Sequence, residues 1–162
     1  MAETVIAIGT NLGNKPENLR RAISFFDDLD VTVLAKSSIY ETEPVGSATE
    51  TFLNAAVLIQ TELEPQLLLK HLKAFEEKAG RDLNAPRWSN RILDYDIITY
   101  GSVVTNLETV SIPHPEYSKR HFVLYPLQDV LPDWKDPITG KGIPEMIEQA
   151  PEMGIFKTDL KW

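Results

Sequence analysis

RWSNRILDYDIIT, residues 87–99, sets two carboxylates, Asp94 and Asp96, on what reads as a strand, directly behind a run of guanidinium groups. The Ile, Leu and Tyr content from Ile92 to Thr99 favours extended backbone. Its period of two puts Asp94 and Asp96 on one face and Leu93, Tyr95 and Ile97 on the other, so one face carries paired anions while the other joins a core. Paired carboxylates repel, and the pKa of at least one rises unless a cation lies between them. Hard divalent ions favour such oxygen ligands, and guanidinium forks fit phosphate oxygens. The pattern points to phosphoryl-type transfer, where positioning and charge neutralisation carry most of the catalysis. On spacing alone, a solvated Asp-x-Asp pair beside surface arginines stays open.

Upstream of that strand the chain alternates. Thr4–Gly9 reads as a buried strand, followed by a Gly- and Asn-rich loop to Asn14. Pro16 suits a first helical turn, after which Leu19, Ala22, Ile23, Phe26 and Leu29 form a helical stripe. Val31–Tyr40 reads as a second strand, Glu43–Thr51 as a polar loop and Phe52–Thr61 as a third strand. On that third strand Phe52, Asn54 and Ala56 share a face. Pro65 opens a second helix bearing Leu68, Leu69, Leu72, Phe75 and Ala79, with Gly80 as its C-cap. Arg81–Asn90 is a polar loop leading to the Asp-bearing strand. The order is βαβ then βαβ, which predicts an α+β, ferredoxin-like βαββαβ sandwich with one antiparallel sheet backed by helices. From Gly101 onward come additions: a short strand near Val110, a Pro-His-Pro turn, a helix from about Phe122 and a tail that includes Ile143–Gln149. No linker, repeat or low-complexity tract interrupts residues 1–162, so a single domain is expected.

Composition bounds the function. The chain has 162 residues, a 43% hydrophobic and 25% charged content, and no cysteine. That excludes disulfides, thiolate zinc sites, iron–sulfur clusters and a cysteine nucleophile. A formal charge of −8 argues against bulk binding to nucleic acid or an anionic membrane. An anionic ligand must therefore meet local positive charge, which Arg81, Arg87 and Arg91 supply, with Lys119 and Arg120 as a second patch. The N-terminal stretch lacks a basic n-region and no segment approaches a membrane span, so a cytoplasmic location is expected. No exposed apolar stripe stands out, and a monomer is expected.

The segments IAIGTNLGN, YETEPVG, FLNAAV, EEKAGR, RWSNRILDYDI, IPHPEYSKRHFVLYPL and the terminal KW follow one another in the order of a known family. Through them the chain resembles the 6-hydroxymethyl-7,8-dihydropterin pyrophosphokinases of folate biosynthesis over nearly its whole length. The resemblance implies transfer of a pyrophosphoryl group from ATP to the hydroxymethyl oxygen of the reduced pterin, leaving AMP. It matches Asp94 and Asp96 to the ligands of two Mg²⁺ ions, and implies that Arg81 and Arg91 join them as catalytic residues. Phe52 and Phe122 match the aromatic pair that sandwiches the pterin, Asn54 the side chain that reads its amide edge, and Thr42 and Val45 residues whose main chain meets the ring. Arg81, Arg87, Trp88, Arg91, His114 and Arg120 match positions on or near ATP, with Arg91 and Arg120 on the triphosphate and Arg81 and Arg87 acting as a loop closes over it. Glu76 matches an acidic position near those loops and is grouped with the nucleotide, although its neighbour Glu77 makes a solvated helix face the plainer reading. Asn11 is expected to hold neighbouring loops together.

Five departures from the family pattern bear on ATP affinity and rate more than on reaction type. Ser89-Asn90 stands where Gly-Pro is usual, Tyr95 where a branched aliphatic residue separates the aspartates, Leu83 for an arginine, Thr109 for a basic residue and Pro115 for an aromatic. Two other readings stand beside the enzyme: a relative that binds the heterocycle without turnover, and a ferredoxin-like module such as an RNA binder, which would need paired exposed aromatics and a basic surround.

Overall fold

The computed structural model describes residues 1–44, 48–80 and 92–162. Strand β1 (Ala2–Thr10) leads to helix α1 (Lys15–Ser24), and β2 (Val31–Lys36) and β3 (Tyr40–Thr42) precede β4 (Phe52–Thr61). Helix α2 (Pro65–Lys78) then precedes β5 (Asp94–Tyr100). The main sheet runs β5-β1-β4-β3-β8, where β8 is Ile155–Lys157, and β2 also pairs with β4. Every pairing is antiparallel. With α1 joining β1 to β2 and α2 joining β4 to β5, this is the ferredoxin-like order read from the sequence. A two-stranded ribbon, β6 (Thr105–Asn106) with β7 (Ser111–Ile112), follows, with its second strand one residue beyond Val110. Helices α3 (His121–Val130) and α4 (Ile143–Gln149) precede β8.

The side chain of Asn14 caps α1 by accepting from the Glu17 amide at 3.2 Å, and Pro16 occupies its first turn. The helical stripe expected to reach Leu29 stops short of it: α1 ends at Ser24 and Phe25–Asp28 form a 3₁₀ turn. That tightening still delivers Phe25 and Phe26 to the core, where Phe25 stacks on Phe75 of α2 with centroids 4.7 Å apart. The strand expected over Val31–Tyr40 is two strands, β2 and β3, separated by Ser37–Ile39. The break has a bonding cause, because the Ser37 hydroxyl takes the Ala56 amide of β4 at 2.8 Å, in place of a main-chain partner. Likewise the Asp-bearing strand starts at Asp94, two residues later than Ile92, and extends to Tyr100.

Two cores result where the sequence reading has one sheet backed by helices. On one face, Ile6, Ile8, Leu53, Val57, Tyr95 and Ile97 meet Leu19 and Phe26 near α1 and Leu68 and Leu72 of α2. On the other, Val5, Ala56, Leu58 and Ile98 meet Val123, Leu124 and Leu127 of α3 and Ile143 and Met146 of α4. Strand β4 is therefore buried on both sides along most of its length. Tyr117 ties these additions together by donating its hydroxyl to Asp136. Leu72 has no exposed surface, so Leu72→Ala, which removes packing and leaves a cavity, is expected to lower stability by about 2–5 kcal/mol in a urea titration.

Candidate active site

Asp94, Asp96 and Asn54, the carboxylates and side-chain amide singled out by the sequence, lie on the strands adjacent to β1 and in register with it. Gly9 of β1 pairs with Asp94 of β5 on one side and with Asn54 of β4 on the other. Ala7 stands likewise between Asp96 and Ala56. With strands roughly 4.8 Å apart, Asp94 and Asn54 sit about 10 Å from each other across a strand that offers almost no side chain. Gly9 keeps that trough open: a Cβ there would lie 3.2 Å from Asn54 Oδ1 and 3.8 Å from Phe52 Cδ1.

Asn54 is buried, and its Nδ2 donates to Thr42 Oγ1 at 2.8 Å. That bond orients the amide and leaves its oxygen on the Gly9 side. The sequence reading gives Thr42 a main-chain role; its hydroxyl additionally holds Asn54. Phe52, at the start of β4, is half-buried and belongs to neither core cluster. Phe122 is half-buried on the first turn of α3, at the margin of the second core. The Arg120 guanidinium lies over its ring, 5.7 Å from the centroid. An expected triphosphate contact and an expected pterin contact therefore touch.

The neighbouring loops are knitted as expected of Asn11, whose Nδ2 donates to the Glu50 carbonyl at 3.2 Å. Lys15 adds bonds to the Thr51 carbonyl and hydroxyl, both at 3.2 Å, and so steadies the approach to Phe52.

At the other end of the trough, the His114 amide donates to the Ile98 carbonyl of β5 at 3.0 Å, which docks the Pro-His-Pro turn beside the aspartates. His114 Nδ1 accepts the Glu116 amide at 3.2 Å, so the neutral ring carries its proton on Nε2, which lies 3.9 Å from Asp96 Oδ1. Burial lowers the His114 pKa below the ordinary imidazole value; Asp96 opposes that shift and Arg120 adds to it. Asp96 itself retains 38% side-chain exposure, and Asp94 is half-buried. Among the described residues, no group of three or more His, Asp or Glu side chains forms a metal cage.

Glu76 departs from the solvated helix face. Its side chain is 0% exposed, and Oε2 accepts the Tyr95 amide at 2.7 Å and the Lys73 ammonium at 3.0 Å. Lys73, absent from the sequence-derived set, also donates to the Tyr95 carbonyl at 3.0 Å. The i,i+3 spacing of Lys73 and Glu76 was a visible signal, but only docking of α2 under β5 shows what the pair meets. The departure at Tyr95 is accommodated inside the core: its ring is fully buried and its hydroxyl donates to the Ala22 carbonyl of α1 at 2.8 Å. Thr109 lies at the surface, within 3.4 Å of Gln66 Nε2. Val45, Arg81, Leu83, Arg87, Trp88, Ser89, Asn90 and Arg91 lie outside the described residues.

Residues 5–132 match the profile of the 7,8-dihydro-6-hydroxymethylpterin-pyrophosphokinase family. The chain belongs to this family. Among relatives, a 2-amino-4-hydroxy-6-hydroxymethyldihydropteridine pyrophosphokinase of Pseudomonas aeruginosa is 36% identical over 152 residues, 93% of each chain. One of Synechocystis is 37% identical, covering 90% of this chain and 75% of that one. A folate synthesis bifunctional protein of Arabidopsis thaliana is 42% identical over 80% of this chain, which spans only 27% of that protein's length. Wild-type Plasmodium falciparum HPPK-DHPS, solved with pteroate, superimposes with a TM-score of 0.72 at 15% identity, covering 91% of this chain and 44% of that one. That likeness shows the pyrophosphokinase fold. In this chain α1 and α2 cover one sheet face, and α3 and α4 pack on the other.

Proposed function

We propose that this chain transfers the pyrophosphoryl group of ATP to the hydroxymethyl oxygen of 6-hydroxymethyl-7,8-dihydropterin, giving AMP and the pterin diphosphate for folate biosynthesis. The register that sets Asp94 and Asn54 on either side of Gly9 carries this reading. It puts a heterocycle-reading amide and a pair of hard oxygen ligands at the two ends of one trough, a separation suited to a pterin ring plus its side-chain oxygen and a phosphate.

Phe52 and Phe122 offer ring faces for stacking, and Asn54 offers a donor and an acceptor to the amide edge of the pterin. Thr42, by fixing the rotation of Asn54, selects which edge fits. Asp94 and Asp96 suit Mg²⁺, which typically takes one or two carboxylates and completes its shell with water and phosphate oxygens. The two ions proposed here would neutralise triphosphate charge and lower the pKa of the attacking hydroxyl. His114, with its proton on Nε2, donates to a phosphate oxygen; Arg120 adds positive charge beside Phe122. Arg81, Arg87, Trp88 and Arg91 complete the nucleotide set, and Val45 the pterin pocket. In the reaction, the hydroxymethyl oxygen gives up its proton to solvent and bonds to the β-phosphorus, the bond from that phosphorus to the α,β-bridging oxygen breaks, and AMP leaves with the released electron pair. No covalent enzyme intermediate is required.

The test is AMP release from ATP and Mg²⁺, measured with and without the reduced pterin. Pterin-dependent AMP is the expected result. A protein that binds the pterin but releases no AMP would be a relative that kept the pocket and lost the chemistry.

A further inference from the structure

Strand β5 lies at the end of the sheet and pairs with β1. In an antiparallel edge strand, alternate residues turn their N–H and C=O away from the ladder, where they need other partners. At Tyr95 both groups find partners on a single turn of α2. Glu76 takes the N–H at 2.7 Å, Lys73 supplies the carbonyl at 3.0 Å, and the two side chains bond each other at 3.0 Å. The third hold is the Tyr95 ring, fully buried and bonded through its hydroxyl to Ala22 of α1.

The position of this clamp matters more than its strength. The N–H of Tyr95 belongs to the peptide unit that joins it to Asp94, and its carbonyl to the unit that joins it to Asp96. Holding both units fixes the planes from which the two carboxylates project. A buried carboxylate and its ammonium partner pay a desolvation cost that an apolar contact would avoid, so helix packing alone does not call for charges here. Charge-assisted bonds to backbone are, by contrast, shorter and stiffer than neutral ones.

We propose that Lys73 and Glu76 are positioning residues that set the spacing and aim of Asp94 and Asp96, and so tune affinity for the divalent ion. The proposal rests on the reading that Asp94 and Asp96 bind that ion, and assigns Glu76 to the strand behind them.

Glu76→Ala, Glu76→Gln and Lys73→Met test it through three readouts: hydrogen exchange at the Tyr95 amide, binding of Mn²⁺ with a non-hydrolysable ATP analogue, and pterin binding without metal. Glu76→Ala is expected to speed exchange at Tyr95 and weaken Mn²⁺ binding by about 10–100-fold, the usual range for losing a residue that orients metal ligands, with pterin affinity held within about twofold. Glu76→Gln keeps an acceptor and Lys73→Met keeps the Glu76–amide bond, so each should fall between wild type and Glu76→Ala. Wild-type Mn²⁺ affinity in a folded Glu76→Ala protein would overturn the proposal, as would parallel losses of pterin and metal binding. Should Glu76→Ala not fold, wild-type Mn²⁺ affinity in both milder variants overturns it. Failure of the underlying metal reading shows separately, because Asp96→Asn would then also bind Mn²⁺ as wild type does.

Discussion

Asp96→Ala and Asp94→Ala are each expected to lower kcat by about a thousandfold or more, since losing several kcal/mol of charge stabilisation at a metal site costs tenfold in rate per ~1.4 kcal/mol. Pterin affinity without metal should be nearly unchanged in both, because Asn54 and Phe52 stand on another strand, two positions across the sheet. The fold should tolerate the changes: both side chains are partly exposed, whereas Tyr95 between them is buried and keeps its bonds to Glu76, Lys73 and Ala22. Rapid-quench measurement of AMP, together with fluorescence titration of the pterin, separates the two effects. Near-normal turnover in both variants would remove the aspartates from the metal site.

For Asn54→Ala the expected loss lies in pterin binding: roughly a hundredfold in Kd, the equivalent of two hydrogen bonds at about 1–1.5 kcal/mol each. Mg²⁺ requirement should stay at the wild-type value. Thr42→Val, which removes the hydroxyl that orients the amide but leaves the amide itself, should fall between Asn54→Ala and wild type. A pterin affinity unaffected by Asn54→Ala would mean that the ring is read elsewhere. Measured side by side, the Asp96 and Asn54 variants distinguish a two-ended site from a single contiguous one, since each should move one ligand and spare the other.

These contrasts depend on features of unequal visibility. The parity of Asp94 and Asp96, and of Phe52 and Asn54, was legible because strand alternation is local: two residues apart means one face, whatever the strand pairs with. The role of Gly9 was not. Its loop reads as a Gly- and Asn-rich turn, and only the pairing of β1 with both β4 and β5 places the missing side chain between Asp94 and Asn54, the two ends of the proposed site. Glu76 shows the same limit from the opposite side. Beside Glu77 on a polar helix turn it reads as solvated, yet docking of α2 beneath an edge strand leaves it with no exposed surface and a backbone amide to satisfy. The division of Val31–Tyr40 into two strands was equally hidden, since it rests on a bond from Ser37 to a strand some twenty positions away.

The sequence by itself determined the βαββαβ order, the faces on which the acidic, aromatic and amide side chains stand, the absence of cysteine chemistry and, through the order of its motifs, the family. Those properties follow from periodicity, composition and residue identity, which a chain carries before it folds. Tertiary structure decided which faces meet: it set Asp94 and Asn54 across Gly9, laid Arg120 on Phe122, brought His114 to Asp96, covered the second sheet face with α3 and α4, and turned Lys73 and Glu76 inward to hold the strand between the aspartates. The reason is that strand register and helix docking are settled by contacts between distant residues, and no local pattern specifies which edge strand will need a partner or which charged pair will supply it.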